Sequence, residues 1–146
     1  MSVFRKIIQE HLREGEMEAG EEIGIQIDQV LIQDITGTVV MLNFEAMGLP
    51  RVRCRVAAAY GDHNVLQVDS RNTEDHLYLA SAGRKYGIWW AKPSSGIGHQ
   101  IHQEHFALAS PGQVIPNIIM IVIVLLMPPY LSQSLKHRMF VYTVFK

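Results

Sequence analysis

Val56-Ala57-Ala58-Ala59-Tyr60-Gly61-Asp62-His63 is the stretch on which the fold turns. Val56 ends an alternation with Val52 and Cys54, in which Arg51, Arg53 and Arg55 take the other face. The four residues after it are apolar without interruption. This predicts a strand that passes from half-covered to fully covered. Gly61-Asp62-His63 then sits at its carboxyl end, where open α/β sheets gather their ligands.

Upstream, Ile23, Ile25 and Ile27 alternate with Gly24, Gln26 and Asp28, the period of a strand. Val30 and Ile32 carry that apolar content on toward Gln33-Asp34. From Ile35 to Met47 the period becomes helical. An inward stripe of Val40, Phe44 and Met47 is expected there, with Val39, Leu42 and Ala46 beside it. Asp34 or Thr36 is the expected cap, Gly48 fits the left-handed C-terminal position, and Pro50 prevents continuation. Before all of this, Val3, Phe4, Ile7, Ile8 and Leu12 predict an amphipathic helix that Gly15 and Gly20 end.

Downstream, Asn72 to Tyr86 is the clearest helix. Asn72 or Thr73 is its expected cap, with Glu74 and Asp75 in the first turn. Leu79, Ala82, Gly83 and Tyr86 face inward, and Gly87 ends it. Ile88 to Ala91 reads as a short strand and Pro93 to Gly96 as a loop. Ile97 to Phe106 reads as a short helix bearing His99, His102 and His105. Strand, helix, strand, helix, strand is the order of a layered α/β fold with parallel pairing.

The chain has 146 residues, 48% of them hydrophobic, which suits one domain's worth of chain or less. A net charge of −1 argues against a nucleic-acid partner, which would want a basic face. The one cysteine, Cys54, allows neither an internal disulfide nor a cysteine cage for a metal, and fits a reducing, cytoplasmic setting. The start of the chain mixes charged with apolar residues and does not read as a signal peptide. The apolar run Ile118 to Met127 is closed by Pro128-Pro129. It is shorter than the roughly 18–20 residues that cross a bilayer, so no true transmembrane helix is expected.

Asp62-His63 admits two readings. An aspartate beside an imidazole favours its protonated form and holds the ring for general acid–base work. Adjacent residues on an extended strand point opposite ways, so such a pair needs a turn, which Gly61 is placed to supply. The plainer reading is a strand-end turn whose short polar side chains bond nearby backbone, and spacing alone favours it. Gln33 is similarly open: its amide either bonds local backbone or, beside a helix N-terminus, binds a substrate carboxylate. His99, His102 and His105 recur at helical neighbour spacing, but no carboxylate or cysteine pattern nearby completes a metal set. A solvated face suits His102 and His105. His99 differs in following the loop Ser94-Ser95-Gly96-Ile97-Gly98. A metal site on His63, His99 and His102 ranks last among the functional readings.

Taken together, several segments resemble the aconitase superfamily. They are Asp28-Gln29-Val30-Leu31-Ile32-Gln33-Asp34-Ile35-Thr36-Gly37-Thr38, Phe44-Glu45-Ala46-Met47-Gly48, Asp62-His63-Asn64-Val65-Leu66-Gln67 and Asp75-His76-Leu77-Tyr78-Leu79. Lys85-Tyr86-Gly87-Ile88 and Pro93-Ser94-Ser95-Gly96-Ile97-Gly98-His99-Gln100 complete the set. No one motif is decisive; their order and spacing from Lys6 to Gly112 carry the likeness. The resemblance implies a partial three-layer α/β/α domain with a mostly parallel sheet. It implies isomerisation of a hydroxy tricarboxylate, by dehydration and rehydration through an enoate such as cis-aconitate, with a [4Fe–4S] cluster as Lewis acid. Homoaconitase and the large subunit of 3-isopropylmalate dehydratase are the alternatives, so the substrate is a tricarboxylate or a hydroxy-dicarboxylate. Gln33 matches the family's substrate-carboxylate glutamine. Asp62 and His63 match its Asp-His pair, the histidine assisting protonation of the departing hydroxyl. His99 matches a second active-site histidine that is normally paired with an aspartate further on.

Residues 1–116 are expected to form the family-like part and 117–146 a divergent tail. Pro111-Gly112-Gln113-Val114-Ile115-Pro116 keeps the family's pattern, whereas no Asp-Ser-His follows Asn117. The family's three cluster cysteines and its serine base have no counterpart in this chain, and Cys54 matches none of them. The chain alone is therefore expected to hold no cluster and to be inactive. An altered reading frame explains such a tail: the last base of Met120's codon with the first two of Ile121's spells aspartate. The nucleotide sequence after Ile115 tests this. A reading of another class is a non-catalytic fragment whose tail packs on a partner or a membrane surface.

Overall fold

The computed structural model describes residues 1–107, 112–117 and 141–142. The expectations for Ile118 to Met127 and for most of the tail lie outside the described residues.

Helix α1 (Val3–His11) starts from Ser2, whose hydroxyl accepts from Arg5 N. Only Ile8 is buried along it, and Val3 and Phe4 face solvent, so the expected inward stripe narrows. The cause is the small partner beneath: strands β1 (Leu12–Glu14) and β2 (Ile23–Ile25) pair antiparallel, and Ile8 packs with Ile23, Ile25, Leu12 and Met17. Gly15, expected to end the helix, instead turns this hairpin at φ 80°.

The apolar run from Ile23 to Ile32 is two strands in two sheets. Asp28 marks the break, its Oδ2 accepting from His11 Nε2 and from Val114 N, both at 2.8 Å. Strand β3 (Gln29–Gln33) follows, then α2 (Asp34–Ala46), β4 (Val56–Tyr60), α3 (Ser70–Tyr86), β5 (Trp89–Ala91) and α4 (Gly98–His102). A π-helical turn, Gln103–Ala107, continues α4. The sheet runs β3-β4-β5, parallel throughout, with Gln33 level with Tyr60 and Tyr60 level with Ala91. Leu31 N donates to Pro116 O, and Leu31 bridges in parallel to Asn117, so the 114–117 segment lies beside β3. Strand β6 (Val141–Tyr142) pairs parallel with β2 in the small sheet.

Strand alternation divides the sheet between two helical layers. Val30, Ile32, Ala57 and Ala59 face α2 and α3, joining Met41, Phe44, Leu79, Ala82 and Tyr86 in the main core. Leu31, Ala58, Tyr60 and Ala91 face the other way, against Ile101 and Phe106. This is the partial three-layer α/β/α arrangement with a parallel sheet that the resemblance implied.

Helix α2 is rotated from expectation. Gly37, Met41 and Phe44 point inward, while Ile35, Val39, Leu42, Ala46 and Met47 are turned outward. Gly37 sets the rotation, because a Cβ there would meet Leu79 Cδ2 at 3.0 Å and Ile32 Cγ2 at 3.1 Å. Helix α3 begins earlier than read, at Ser70, capped by Asp69 accepting from Arg71 N. Thr73, an expected cap, donates to Gln67 Oε1 instead, and Asp75 accepts from Thr38 Oγ1 across to α2. Its inward face of Leu79, Ala82, Gly83 and Tyr86 is as expected, and Gly87 closes it at φ 80°.

Candidate functional site

Gln33, Tyr60 and Ala91 end the three parallel strands at one edge of the sheet. All four residues singled out in the sequence, Gln33, Asp62, His63 and His99, meet there. Asp62 Oδ1 accepts from His63 Nδ1 at 2.8 Å, and its Oδ2 accepts from Gly98 N at 2.8 Å. Gly98 is the residue before His99, so one almost fully buried carboxylate ties the strand-end pair to the start of α4. The His63 side chain is 35% exposed, so its ring is open to solvent in part.

Gln33 is wholly buried on the α4 side of β3. Its Nε2 lies 3.2 Å from His99 Nε2 and 3.4 Å from His99 Nδ1, across the ring rather than aimed at one nitrogen. Gln33 Oε1 has no hydrogen-bond partner among the described residues. Exchanging oxygen and nitrogen leaves the heavy atoms in place. Oε1 then faces His99, and the free group becomes an N–H donor of the kind a carboxylate needs. His99 itself is exposed, so a ligand arriving from solvent meets His99 before Gln33. Asn117 Nδ2 stands 2.6 Å from His99 Nε2.

Two expectations at this edge are corrected. Gly61 does not turn the chain through a left-handed conformation. It is a close-approach site, where a Cβ would meet Pro93 Cδ, Pro93 N and Trp90 Cη2, each at 3.2 Å. Nor is Asp34 a cap for α2, whose N-cap is Gln33 without a side-chain bond. The Asp34 carboxylate is fully buried and turned to the loop after β4. Oδ1 accepts from His63 N at 3.2 Å, and Oδ2 accepts from Asn64 N at 2.9 Å and His76 Nε2 at 3.0 Å. Sequence reasoning missed Asp34 and His76. The available signal was their place inside two of the resembling segments.

His102, read as solvated, is 1% exposed. Its Nδ1 lies 2.9 Å from Tyr60 OH, its ring packs on Tyr60 and Phe106, and its Nε2 has no partner among the described residues. His105 is exposed as read. Among the described residues, the one group of three ligand atoms close enough to share a metal is Asp34, Asp62 and His63, within 4.8 Å. Those carboxylate oxygens already accept the hydrogen bonds above, and His99 and His102 are not in the group. Cys54, whose thiol donates to Val56 O at 3.2 Å, packs against the main core, and burial pushes its pKa up.

Burial lowers the His102 pKa, and the neighbouring His99 adds to this. Burial first, and then the Asp62 charge, hold the Tyr60 phenol well above its usual range. Folding thus favours neutral His102. The unfolded chain takes up a proton near the ordinary value of 6.5 before the folded chain does. The stability this contributes is present above that pH and is lost as pH falls below it toward the depressed folded value. In urea melts across that window, His102→Gln should flatten the acid-side fall of the midpoint. An unchanged slope would show that His102 does not carry it.

Parallel strands whose carboxyl ends gather an acid–imidazole pair, a second imidazole and a buried amide define an α/β domain with a candidate ligand site at the strand ends. The chain belongs to the aconitase family (aconitate hydratase), which matches residues 5–121. It is 32% identical over 120 residues to the probable mitochondrial aconitate hydratase of Caenorhabditis elegans, covering 73% of this chain and 15% of that protein. Against the mitochondrial aconitate hydratase of Saccharomyces cerevisiae the identity is 36% over 97 residues, 60% of this chain and 12% of that one. The 3-isopropylmalate dehydratase large subunit of Thermodesulfovibrio yellowstonii is 32% identical over 123 residues, 83% of this chain and 28% of that one. The chain therefore spans well under a third of the length of the two aconitate hydratases, and 28% of the dehydratase subunit. No helix among the described residues is long and apolar enough to cross a membrane.

Proposed function

We propose that this chain supplies one side of the active site of an aconitate-hydratase-like hydro-lyase, acting on a hydroxy tricarboxylate through an enoate. The observation that supports this best is the Asp62 carboxylate bridging His63 and the start of α4, where His99 covers Gln33. In this reading Asp62 holds His63 by Nδ1–H, which leaves Nε2 toward the ligand; when the ring carries both protons, Nε2–H gives one to the departing hydroxyl and the ring is left as the neutral Nδ1–H form. His99 and the Gln33 amide receive a substrate carboxylate.

The residues present do not fit an iron–sulfur cluster. The sole cysteine is packed against the main core, its thiol bonded to Val56 O at the start of β4, and cluster irons are held by several thiolates. The purified chain alone is therefore expected to leave cis-aconitate unhydrated. Residues 117–146 are proposed to be a divergent, frame-altered tail, which the nucleotide sequence after Ile115 tests.

The decisive experiment is a chimera in which residues 5–116 replace the matching span of a full-length aconitate hydratase. The chimera should hydrate cis-aconitate, and His63→Ala in it should lower kcat by about 10²-fold or more, as loss of a general acid does. A chimera equally active with and without His63 would sink the reading. Several relatives are named as mitochondrial, and cell fractionation decides between that compartment and the cytoplasm.

A further inference from the structure

Asp62 and His63 are neighbours in sequence, and in extended backbone their side chains would diverge. Yet His63 Nδ1 lies 2.8 Å from Asp62 Oδ1, so something bends the chain after Asp62. Gly61 does not do so through its own conformation. The groups that grip the backbone at the bend are the two oxygens of Asp34, which take the amides of His63 and Asn64 in succession. A carboxylate accepting consecutive amides from one loop fixes the turn as a helix cap fixes its first turn.

Asp34 is itself held. Its Oδ2 also accepts from His76 Nε2 at 3.0 Å, on the buried face of α3. The other nitrogen of that ring, Nδ1, lies 3.3 Å from Gln67 Nε2, an amide N–H that only donates. Gln67 Nε2 also donates to Asn64 O at 2.9 Å, and Thr73 Oγ1 donates to Gln67 Oε1 at 2.7 Å. The donors and acceptors then assign one tautomer: His76 Nδ1 accepts from Gln67 and Nε2–H donates to Asp34. The 62–67 loop is stapled at both ends to α2 and α3 by side chains with little freedom left.

We propose that Asp34, oriented by His76, is the positioning residue of the Asp62–His63 pair. Asp34 touches no reacting atom. It sets the bend that brings Asp62 against Nδ1 of His63, and its own Oδ1, 3.9 Å from that nitrogen, places a second carboxylate on the same side of the ring. Both acids lie on the Nδ1 side, so Nε2 is the nitrogen left for a ligand. This deepens the hydro-lyase reading and rests on it for what His63 does, but its test needs no turnover.

The test is the long-range proton–nitrogen spectrum of the imidazole rings in the full chain, recorded near neutral pH for the wild type, Asp34→Asn, His76→Leu and His76→Gln. Wild-type His63 should show predominantly the form protonated at Nδ1. The asparagine of D34N offers a single acceptor oxygen, and the leucine of H76L offers no donor. Both variants should therefore convert the His63 pattern to a mixture of tautomers. H76Q restores a donor toward Asp34 and should keep the wild-type pattern. The backbone amide spectrum of β3, β4 and β5 separates this local change from unfolding. If D34N does not fold, the two His76 variants decide. An unchanged His63 pattern in the folded variants overturns the proposal, and H76Q behaving like H76L removes His76 from it. A normal His63 pattern in a chimera insensitive to His63→Ala would instead overturn the hydro-lyase reading and leave the positioning intact.

Discussion

Leu79→Ala is expected to lower the stability of the chain by about 2–5 kcal/mol, the range for truncating a buried leucine. Leu79 is 1% exposed and lies where α2, α3 and the sheet meet. Its two methyl carbons stand 3.0–3.1 Å from where a Cβ on Gly37 would be, so the α2 surface opposite has no side chain to fall into the hole. Relaxation can then recover little of the lost contact, which places the cost toward the upper end of the range. Urea melts should show a lower midpoint at unchanged slope. A loss below about 1 kcal/mol would mean that this contact is not the centre of the core. The same geometry makes a second change informative. Gly37→Ala crowds Leu79 in the wild type but fills space in L79A, so the pair should be strongly non-additive.

Gly98→Ala should have the largest local effect on the candidate site. A Cβ at Gly98 would meet Tyr60 Cγ at 2.7 Å, Tyr60 Cβ at 2.8 Å and Asp62 Oδ2 at 3.0 Å. None of these is the free end of a flexible chain: Tyr60 is locked at the end of β4 and Asp62 is almost fully buried. The start of α4 must therefore back away from the sheet, at a cost of about 1–3 kcal/mol by analogy with overpacked cores. The move stretches the bond from Gly98 N to Asp62 and carries His99 off Gln33. In the chimera described above, G98A should raise KM for a carboxylate substrate at least as much as it lowers kcat. A wild-type KM would show that the approach of α4 to β4 does not set the site.

The elements that could be read in the sequence are those whose period is unambiguous. β4 announced itself through four apolar residues ended by a glycine, and α3 through Leu79, Ala82, Gly83 and Tyr86 with Gly87 beyond. Helix α2 misled because it is apolar on two faces. Ile35, Val39 and Leu42 make as good a stripe as Gly37, Met41 and Phe44, and only the close approach at Gly37 selects between them. The break at Asp28 was hidden because apolar content continues across it, and what splits the strands is hydrogen bonding from His11 and Val114, far away in sequence. At the site, Gln33, Asp62, His63 and His99 were legible through resemblance. The burial of Asp34, His76 and His102 was not, because a buried polar side chain is stable only with partners that the fold supplies. Each of the three takes its partners from a different element: His63 and Asn64 for Asp34, Asp34 for His76, Tyr60 for His102.

The division of each central strand between two helical layers bears on which changes of length the chain can absorb. Gln29, Leu31 and Gln33 serve one layer, Val30 and Ile32 the other. Inserting or deleting one residue within β3 would exchange the two sets, turning Gln33 into the apolar core and an isoleucine or valine toward His99. Substitution at such a position costs a side chain, whereas a one-residue indel costs the register of every residue beyond it. Length variation among related chains should accordingly collect in the loops, such as 47–55 and 64–69, and spare the strands.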